Sequence, residues 1–460
     1  MTEPETIAPW AELKAVIQEG DEDKLLAVLE ELPPGEVARA LTRLETLERN
    51  ALLGLLGPEE AADLLEELSD AQAAEIIDDL PAEKAAEIID EMESDHRADL
   101  LGEMEDDDAE AILLEMDPSE ARDARALLEF EEDTAGGIMI TEFVVYSQDV
   151  MVADVVKDMR DNAEKYSDYG VQYAYVTTAQ GRLVGVLRLR DLLLSPADTV
   201  IRQIMIANPI YVLADTPLEE LLHFFDRYAF WGVPVTDEDG RIIGVVRRAD
   251  AEEAAGEEHE RALLRFSGII GGEELRSMPL RRRATGRLVW LTMNVFLSVL
   301  AASVILLFEG TISQVFALVF FIPVVGNMSG CTGNQAVAVS IREMALGLIQ
   351  PRDFVRVWLK ELSLGVINGI VLGAVIGGIA YLLNSMLWND SPYIAVVIGL
   401  AFAVNTLVAV SLGGLIPLML RLINADPALG APPILTTLTD MFGLMLVLAI
   451  AAFAIAAGLL

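Results

Sequence analysis

The 460-residue sequence is poor in side chains that bind soft metals, with one cysteine, Cys331, and three histidines, His96, His223 and His259. A zinc, copper or iron–sulfur site needs clustered thiolates or imidazoles, and the sequence contains no such cluster. A single cysteine also excludes a disulfide within the chain. We therefore expect any metal handled by this protein to be a hard cation with oxygen ligands.

Two further sequence patterns are missing. The N-terminus has no basic segment followed by an apolar one, so we expect the first part of the chain to stay in the cytosol. No glycine-rich phosphate loop ending in Lys-Ser or Lys-Thr is present, so the sequence does not indicate an ATPase. We expect a protein that is not an enzyme.

Acidic charge is concentrated in the first part of the chain. Residues 1–285 contain 66 acidic and 26 basic residues, whereas residues 286–460 contain seven and six. An anionic surface of this size repels nucleic acid and attracts cations, so we expect divalent cations and no nucleic acid as partners. A solvated surface in a salt-tolerant organism is the alternative explanation of this charge.

Residues 21–128 contain a twelve-residue repeat. The clearest units read GPEEAADLLEEL (57–68), SDAQAAEIIDDL (69–80) and PAEKAAEIIDEM (81–92). Ala at unit position five, Leu or Ile at positions eight and nine, and Leu or Met at position twelve form one helical stripe. Prolines recur near the unit starts and disfavour a single long helix. The repeat therefore predicts one short helix per unit, stacked into an all-α solenoid.

Residues 136–255 contain a second, longer duplication. The segment GRLVGVLR (181–188) returns as GRIIGVVR (240–247), and each copy is a turn followed by a β-branched run. Ile138-Met139 and Ile204-Met205 open the two copies. The pattern resembles a tandem pair of CBS modules, which are small α/β units that pair pseudo-symmetrically and often bind adenine nucleotides.

Long uncharged stretches fill the second part of the chain. They run over residues 288–308, 310–341, 362–389, 391–420 and 441–460. Each can span about 30 Å of hydrocarbon, which predicts five membrane spans. Basic residues lie before the first stretch, between the second and third, and between the fourth and fifth, whereas Glu309 and Asp390 mark the other side. The positive-inside rule then places the N-terminal domains in the cytoplasm and the C-terminus outside.

Residues 323–335 interrupt the second stretch with three glycines and several amide or hydroxyl side chains. Irregular backbone at membrane depth is tolerated only where it lines a cavity or is buried in protein. We therefore predict a broken helix here, in which Asn327, Asn334 and Gln335 supply oxygens that receive a hydrated cation. The alternative is a face of small residues at which helices pack.

The run TTLTD (436–440) lies in the last predicted span and places a carboxylate about ten residues into an otherwise uncharged stretch. A charged group inside a membrane costs at least about 2.5–3.5 kcal/mol and indicates a functional site. No intramembrane Lys or Arg is available to pair with Asp440, so a cation is its expected partner. The alternative is an aspartate hydrogen-bonded to neighbouring threonines at a helix start. Asp426, next to Pro427 and near Arg421, is predicted to lie in the cytoplasmic mouth.

Together these features resemble the MgtE family of magnesium channels over essentially the whole chain. The most specific parts are the segment DTAGGIM (133–139) before the CBS pair, the Gly- and Asn-rich part of the second stretch, and the TTLTD run. The resemblance implies a multidomain protein with four parts. These are an acidic helical N-domain (1–132), a tandem CBS pair (133–255), a connecting plug helix (256–285) and a five-span transmembrane pore domain (286–460).

The resemblance also implies a homodimer in the inner membrane with one central pore, in which Asp440 holds hydrated Mg²⁺. The candidate pore ligands are Asp440, Asp426, Asn327, Asn334, Gln335 and Thr436. Cytoplasmic Mg²⁺ is expected to bind between the acidic domains and the plug helix and to close the pore. The candidate regulatory ligands are Asp226, Asp250, Glu252, Glu253, Glu257 and Glu258. ATP is expected as a regulatory ligand of the CBS pair, contacted by Tyr173, Arg190, Asp191 and Phe230.

A channel-type mechanism agrees with the chemistry of the ion. Mg²⁺ dehydrates reluctantly, so a lone carboxylate with amides can pass it largely hydrated. Two charges that move inward through about 100 mV gain about 4.6 kcal/mol, so uptake requires no pump chemistry. One alternative is a secondary divalent-cation (Mg²⁺/Co²⁺) transporter or exchanger. Another is a membrane-tethered nucleotide sensor without transport.

Overall fold

The computed structural model describes residues 9–163, 165–166, 169, 172–270, 274, 276, 278, 280–315, 317–388 and 391–460. The chain forms two compact units, one mainly of residues up to Glu257 and the other mainly of residues from Glu258. Asp390, which the charge pattern assigns to the outer side, lies outside the described residues.

One short helix forms in each twelve-residue unit, as the repeat predicts. The first helix, α1 (Pro9–Glu19), precedes the repeat, and residues 21–128, which are all described, then contain nine helices. These are α2 (Glu22–Glu31), α3 (Pro34–Leu41), α4 (Thr46–Leu55), α5 (Pro58–Glu66), α6 (Asp70–Asp78), α7 (Ala82–Ile89), α8 (Ser94–Glu103), α9 (Asp106–Glu115) and α10 (Glu120–Leu127). Proline begins α3 and α5, where its missing N–H would have no partner.

The repeat helices pack in two rows. Helix α5 packs against α7, α6 against α8, and α7 against α9. In the unit 57–68, the side chains at positions five, eight, nine and twelve (Ala61, Leu64, Leu65 and Leu68) are all buried. The same positions in the units 69–80 and 81–92 join them in one hydrophobic core. Each helix therefore depends on its neighbours for the burial of its apolar stripe.

The duplicated region forms two α/β modules, as the repeated segments predict. The first sheet has the order β1 (Val144–Ser147), β2 (Tyr173–Thr177), β3 (Leu183–Arg188) and β4 (Ile206–Ala207). The second has the order β5 (Val212–Leu213), β6 (Gly232–Thr236) and β7 (Ile242–Arg247). In each sheet the first pair of strands is parallel and the next is antiparallel. The helices of this region are α11 (Ala135–Ile138), α12 (Val152–Asp161), α13 (Leu189–Leu194), α14 (Leu218–Arg227) and α15 (Arg248–Phe266).

Each module is completed by the opening residues of the other copy. Ile140 forms an antiparallel β-bridge with Val245 in β7 of the second sheet. In the first sheet, β4 pairs with β3 in the equivalent antiparallel way. A side chain at Gly244 would overlap Met139. The equivalent Gly185 is covered in the same way by Met205. The glycines of the two repeated segments are therefore needed for this close packing.

The connection after the CBS modules differs from the predicted helix over 256–285. Helix α15 begins earlier, at Arg248, and no described residue from Ser267 to Met278 is helical. Gly268 has a φ of +86°, and the N–H of Ile269 donates to the carbonyl of Leu264. This is a glycine-dependent helix end. A single helix over 256–285 is therefore wrong, because Gly268 ends it.

The second unit consists mainly of long helices. They are α16 (Leu280–Ala302), the short α17 (Glu309–Gln314), α18 (Ala317–Ala345), α19 (Phe354–Leu383), α20 (Tyr393–Leu422) and α21 (Pro427–Ala456). Within the described residues, four segments are long and apolar enough to cross a membrane. They are Leu280–Gln314, Pro351–Trp388, Tyr393–Leu422 and Pro427–Ala456.

The last long helix begins well before the uncharged stretch 441–460 and includes the TTLTD run, as predicted for the last span. Helix α21 begins at Pro427, because the Asp426 carboxylate accepts hydrogen bonds from the N–H groups of Ala428 (2.7 Å) and Leu429 (3.4 Å) and caps the helix. Prolines 432 and 433 lie inside the helix. Asp440 is therefore an interior residue of a 30-residue helix.

The predicted break in residues 323–335 is also wrong, because α18 is continuous through them. Its glycines permit close helix packing instead. A Cβ at Gly333 would lie 3.1 Å from the carbonyl oxygen of Ala409 in α20 and 2.7 Å from Leu435 in α21. The hydroxyls of Ser329 and Thr332 donate to carbonyls of their own helix, at 2.8 Å and 2.9 Å. The small-residue packing face, which was the alternative, is what the structure contains.

Candidate functional site

Asp440 lies in the middle of α21 and is half-buried. Among the described residues, no hydrogen bond or ion pair reaches its carboxylate. The hydroxyls of Thr436 and Thr437 donate to the carbonyls of Pro432 (2.9 Å) and Pro433 (2.8 Å), not to Asp440. The alternative of an aspartate tied to threonines at a helix start is therefore wrong. An acid without a protein partner can bind a cation.

Helix α18 presents its glycine face to this part of α21. A Cβ built at Gly326 would lie 3.0 Å from Oδ1 of Asp440, and one at Gly330 would lie 4.0 Å from the Thr436 methyl group. Any side chain at Gly326 would fill the space beside the carboxylate. The glycine therefore keeps that space open.

Polar side chains follow one edge of α18. Asn327, Cys331 and Gln335 are one turn apart and exposed in the single chain, and Thr436 is exposed on α21. We call these four residues the polar stripe. In hydrocarbon, exposed amides would have no water to bind. The polar stripe therefore needs either water or a second protein surface beside it.

The remaining predicted pore residues lie apart from Asp440. Asn334 is half-buried, and its Oδ1 has no hydrogen-bond partner among the described residues. Asp426 is about 20 Å away along the helix, at the rise of 1.5 Å per residue. Its Oδ2 lies 3.4 Å from Nε of Arg265 on α15, an ion pair without hydrogen-bond geometry. The structure thus brings Asp440 to Gly326 and Thr436, but not to Asp426.

Arginine pairs with several of the predicted regulatory acids. Nε of Arg247 donates to both Asp250 oxygens, at 2.7 Å and 2.9 Å. Glu252 lies 3.6 Å from Arg248, and Glu258 accepts a 2.5 Å hydrogen bond from Arg265. The others are the exposed Asp226 and Glu253 and the half-buried Glu257.

The guanidinium of Arg247 also joins the CBS modules to the helical repeat. Its two Nη atoms donate to Glu93, at 2.8 Å and 2.5 Å, and Nη2 lies 3.9 Å from Asp95. A planar guanidinium that binds two carboxylates by paired hydrogen bonds is a strong and directional contact. Asp250, a predicted metal ligand, is therefore held by a cation of the protein itself.

A cluster that the sequence reasoning missed lies at the start of α8. Ligand atoms of Glu93, Asp95 and His96 all lie within 4.8 Å of one another. The repeat contains acids throughout, so these acids did not stand out. The one sequence signal is the histidine in the unit ESDHRADLLGEM (93–104), which the other clear units lack.

Burial and neighbouring charges shift the pKa values of the ionisable side chains in and next to this cluster. Burial raises the pKa of Asp95 to about 7. Burial, together with the charges of Asp70, Asp95, Glu132 and Glu257, raises the pKa of Asp99 to about 8. Burial disfavours the charged imidazole of His96, but the carboxylates of Asp95, Glu66 and Asp70 outweigh it and raise its pKa. Protons are therefore held here at pH values where an exposed aspartate is ionised.

The residues predicted to contact a nucleotide lie on two elements and one connecting segment. Tyr173 begins β2, Arg190 and Asp191 lie in α13, and Phe230 follows α14. Asp191 accepts a 2.6 Å hydrogen bond from Arg188, and Arg190 is exposed. Phe230 stacks on Tyr228 with ring centroids 5.5 Å apart. The Phe230 ring is partly exposed, so one of its faces could stack with an adenine base.

Family models match the helical repeat, the two α/β modules and most of the last four long helices. A divalent cation transporter model matches residues 322–450, and an MgtE intracellular N domain model matches residues 32–133. CBS domain models match residues 135–198 and 201–256.

Two relatives agree with these matches in sequence. The magnesium transporter MgtE of Thermus thermophilus is 32% identical over 339 residues, which is 73% of each chain. That of Enterococcus faecalis is 34% identical over 332 residues, 71% of this chain and 70% of the relative. A crystal structure of the cytosolic domain of the Mg²⁺ channel MgtE with ATP aligns with a TM-score of 0.49 at 34% identity. It covers 53% of this chain and 99% of that one.

Proposed function

The chain belongs to the MgtE family of magnesium transporters, and on that premise we propose that it is a Mg²⁺-selective channel for magnesium uptake. It acts as a homodimer in the inner membrane, with the N-terminal domains in the cytoplasm. Helix α18 makes the fifth crossing beside the four apolar segments, which leaves the C-terminus outside. The domain limits 1–132, 133–255, 256–285 and 286–460 belong to this proposal.

The observation that carries the proposal is the carboxylate of Asp440, which has no described protein partner and lies beside the open space at Gly326. The polar stripe and Asp440 line a water-filled passage that a second copy closes. Asn334 and the mouth residue Asp426 add oxygens along the way. Because the ion stays largely hydrated, one carboxylate and several amides bind it without trapping it.

The membrane potential supplies the driving force. An inward step of two positive charges through about 100 mV is favourable by about 4.6 kcal/mol. An exchanger for Na⁺ or H⁺ would move less net charge per Mg²⁺. Currents carried by Mg²⁺ across a voltage-clamped bilayer distinguish a channel from electroneutral exchange.

Cytoplasmic Mg²⁺ closes the pore by binding to the acidic domains. Asp226, Glu253 and Glu257 carry charges that repel each other when the domains close, and a divalent ion reduces that repulsion. ATP binds the CBS pair at Tyr173, Arg190, Asp191 and Phe230 and adjusts this response.

The decisive experiment is Mg²⁺ flux into liposomes that contain the purified full chain or Asp440→Asn. The amide keeps the shape of the side chain and removes its charge, so we expect flux to fall strongly while the dimer remains folded. Ser363→Ala is the matched control, because the Ser363 hydroxyl donates only to its own helix at Lys360. Wild-type flux in Asp440→Asn would exclude Asp440 as the pore ligand.

A further inference from the structure

Asn405 lies in α20 and has no exposed surface. Its Nδ2 donates to the hydroxyl of Ser329 on α18 at 2.6 Å and to the carbonyl oxygen of Thr439 on α21 at 3.3 Å. Thr439 immediately precedes Asp440. One side chain therefore connects three helices at the level of the Asp440 carboxylate.

The surroundings of Asn405 are built around its amide. A Cβ at Gly443, one turn after Thr439 on α21, would lie 2.5 Å from Nδ2 of Asn405. The Ser329 hydroxyl donates its one hydrogen to the carbonyl of Val325, at 2.8 Å. It therefore accepts the hydrogen bond from Asn405 with a lone pair of its oxygen. The contact therefore has one defined hydrogen-bond direction, from α20 to α18.

Burial of the same amide also costs folding free energy. Its Oδ1 is buried and has no hydrogen-bond partner among the described residues. An apolar residue of similar size would avoid that unsatisfied oxygen. The packing of the helices alone therefore does not account for an asparagine at this position.

We propose that Asn405 is a positioning residue for ion permeation, which holds the Asp440 turn of α21 at a fixed distance from α18. The opening beside Asp440 is bounded by α18 at Gly326, where a Cβ would lie 3.0 Å from Oδ1. If α21 moved relative to α18, the width of that opening would change. Asn405 thus sets which hydrated divalent ion fits. This inference rests on the proposed function of Asp440.

Ser340 provides a matched control. It is also buried on α18, and its hydroxyl donates to the carbonyl of Gly414 on α20, at 3.3 Å. The contact joins the same two helices as the Asn405–Ser329 bond, but it does not involve α21. Loss of a general α18–α20 contact can therefore be distinguished from loss of the Asp440 position.

The test measures initial uptake of Mg²⁺, Co²⁺ and Ni²⁺ in proteoliposomes containing wild type, Asn405→Leu, Ser329→Ala or Ser340→Ala. We expect Asn405→Leu to change the ratio of Mg²⁺ to Co²⁺ uptake by about three- to tenfold, which corresponds to one neutral hydrogen bond. Ser329→Ala removes only the α18 acceptor and is expected to shift the ratio in the same direction by less. Ser340→Ala is expected to keep the wild-type ratio.

An unchanged ratio in both Asn405→Leu and Ser329→Ala would overturn the inference, as would an equal shift in Ser340→Ala. If Asn405→Leu does not assemble as a dimer, Ser329→Ala alone decides. Asp440→Asn is measured in parallel. Normal flux in that variant contradicts the proposed pore, whereas lost flux in Asp440→Asn with unchanged ratios in the others contradicts only the role of Asn405.

Discussion

Replacement of Arg247 by glutamine is expected to loosen the contact between the helical repeat and the CBS modules. Arg247 in β7 donates four hydrogen bonds, two to Glu93 and two to Asp250, and approaches Asp95. Glutamine removes the positive charge and leaves the carboxylates of Glu93 and Asp250 close to each other and to the Asp95 carboxyl group. Their repulsion then acts across the contact between α8 and β7.

The size of the effect follows from burial. The side chains of Asp95 and Asp250 are 9% and 12% exposed, whereas those of Arg247 and Glu93 are 26% and 30% exposed. Exposed ion pairs contribute about 0.2–1 kcal/mol, and breaking a buried pair costs about 3–5 kcal/mol. This half-buried network lies between those limits, at about 2 kcal/mol. The equilibrium for local opening should therefore rise about 30-fold.

Amide hydrogen exchange of α8 in the full chain measures that opening. Without divalent ions, exchange should be about 30-fold faster in Arg247→Gln than in wild type. Millimolar Mg²⁺ should restore part of the protection in the variant, because it replaces the lost positive charge. Arg202→Gln is the control, since Arg202 forms an exposed pair with Asp149. Equal exchange in wild type and Arg247→Gln without divalent ions would refute the reasoning.

Three further predictions concern other parts of the chain. Folded Asp95 and Asp99, with pKa values of about 7 and 8, hold protons that the unfolded chain releases above about pH 4. The free energy of unfolding should therefore fall as pH rises from about 4 to 8. Asp99→Asn should raise the melting temperature at pH 8, because the amide has no proton to lose. The control Asp107→Asn, at an exposed position, should leave the melting temperature unchanged. Gly333→Leu should disrupt the α18–α20–α21 packing and lower the melting temperature, whereas Gly378→Leu, with open space around its Cβ, should not. Phe230→Ala should weaken ATP binding about tenfold in calorimetric titration of the full chain, and unchanged affinity would exclude a stacking role.

The sequence predicts those helices and strands that are determined by residues close together in the sequence. The twelve-residue period and the prolines at unit starts predict one helix per unit, because both act within a few residues. The two copies of the GR-apolar-apolar-GV segment predict two α/β modules for the same reason. Residues 323–335 were misread because their glycines indicate a break when considered alone. Their packing partners, Ala409 and Leu435, are far away in the sequence.

The candidate site likewise contains residues that local sequence identifies and residues that it does not. Asp440 was identifiable because an acid in an apolar stretch is conspicuous. Asn405 was not, because a single amide in an apolar helix has no local signature and its role depends on two other helices. The contact of Arg247 with Glu93 joins residues 154 positions apart. No periodicity or motif predicts such a pair.

The arginine pairs limit how Mg²⁺ can regulate this protein. Within the described part of the chain, at least three of the six acids expected to bind regulatory Mg²⁺ are paired with arginine, namely Asp250 with Arg247, Glu252 with Arg248 and Glu258 with Arg265. A guanidinium is always charged, so it competes with Mg²⁺ for these acids, most strongly for Asp250, whose side chain is only 12% exposed. The Mg²⁺ response should therefore depend more on acids such as Asp226 and Glu253, for which the described residues provide no arginine. Because fewer sites then distinguish the closed from the open state, closure should be less steep than six equal sites would make it.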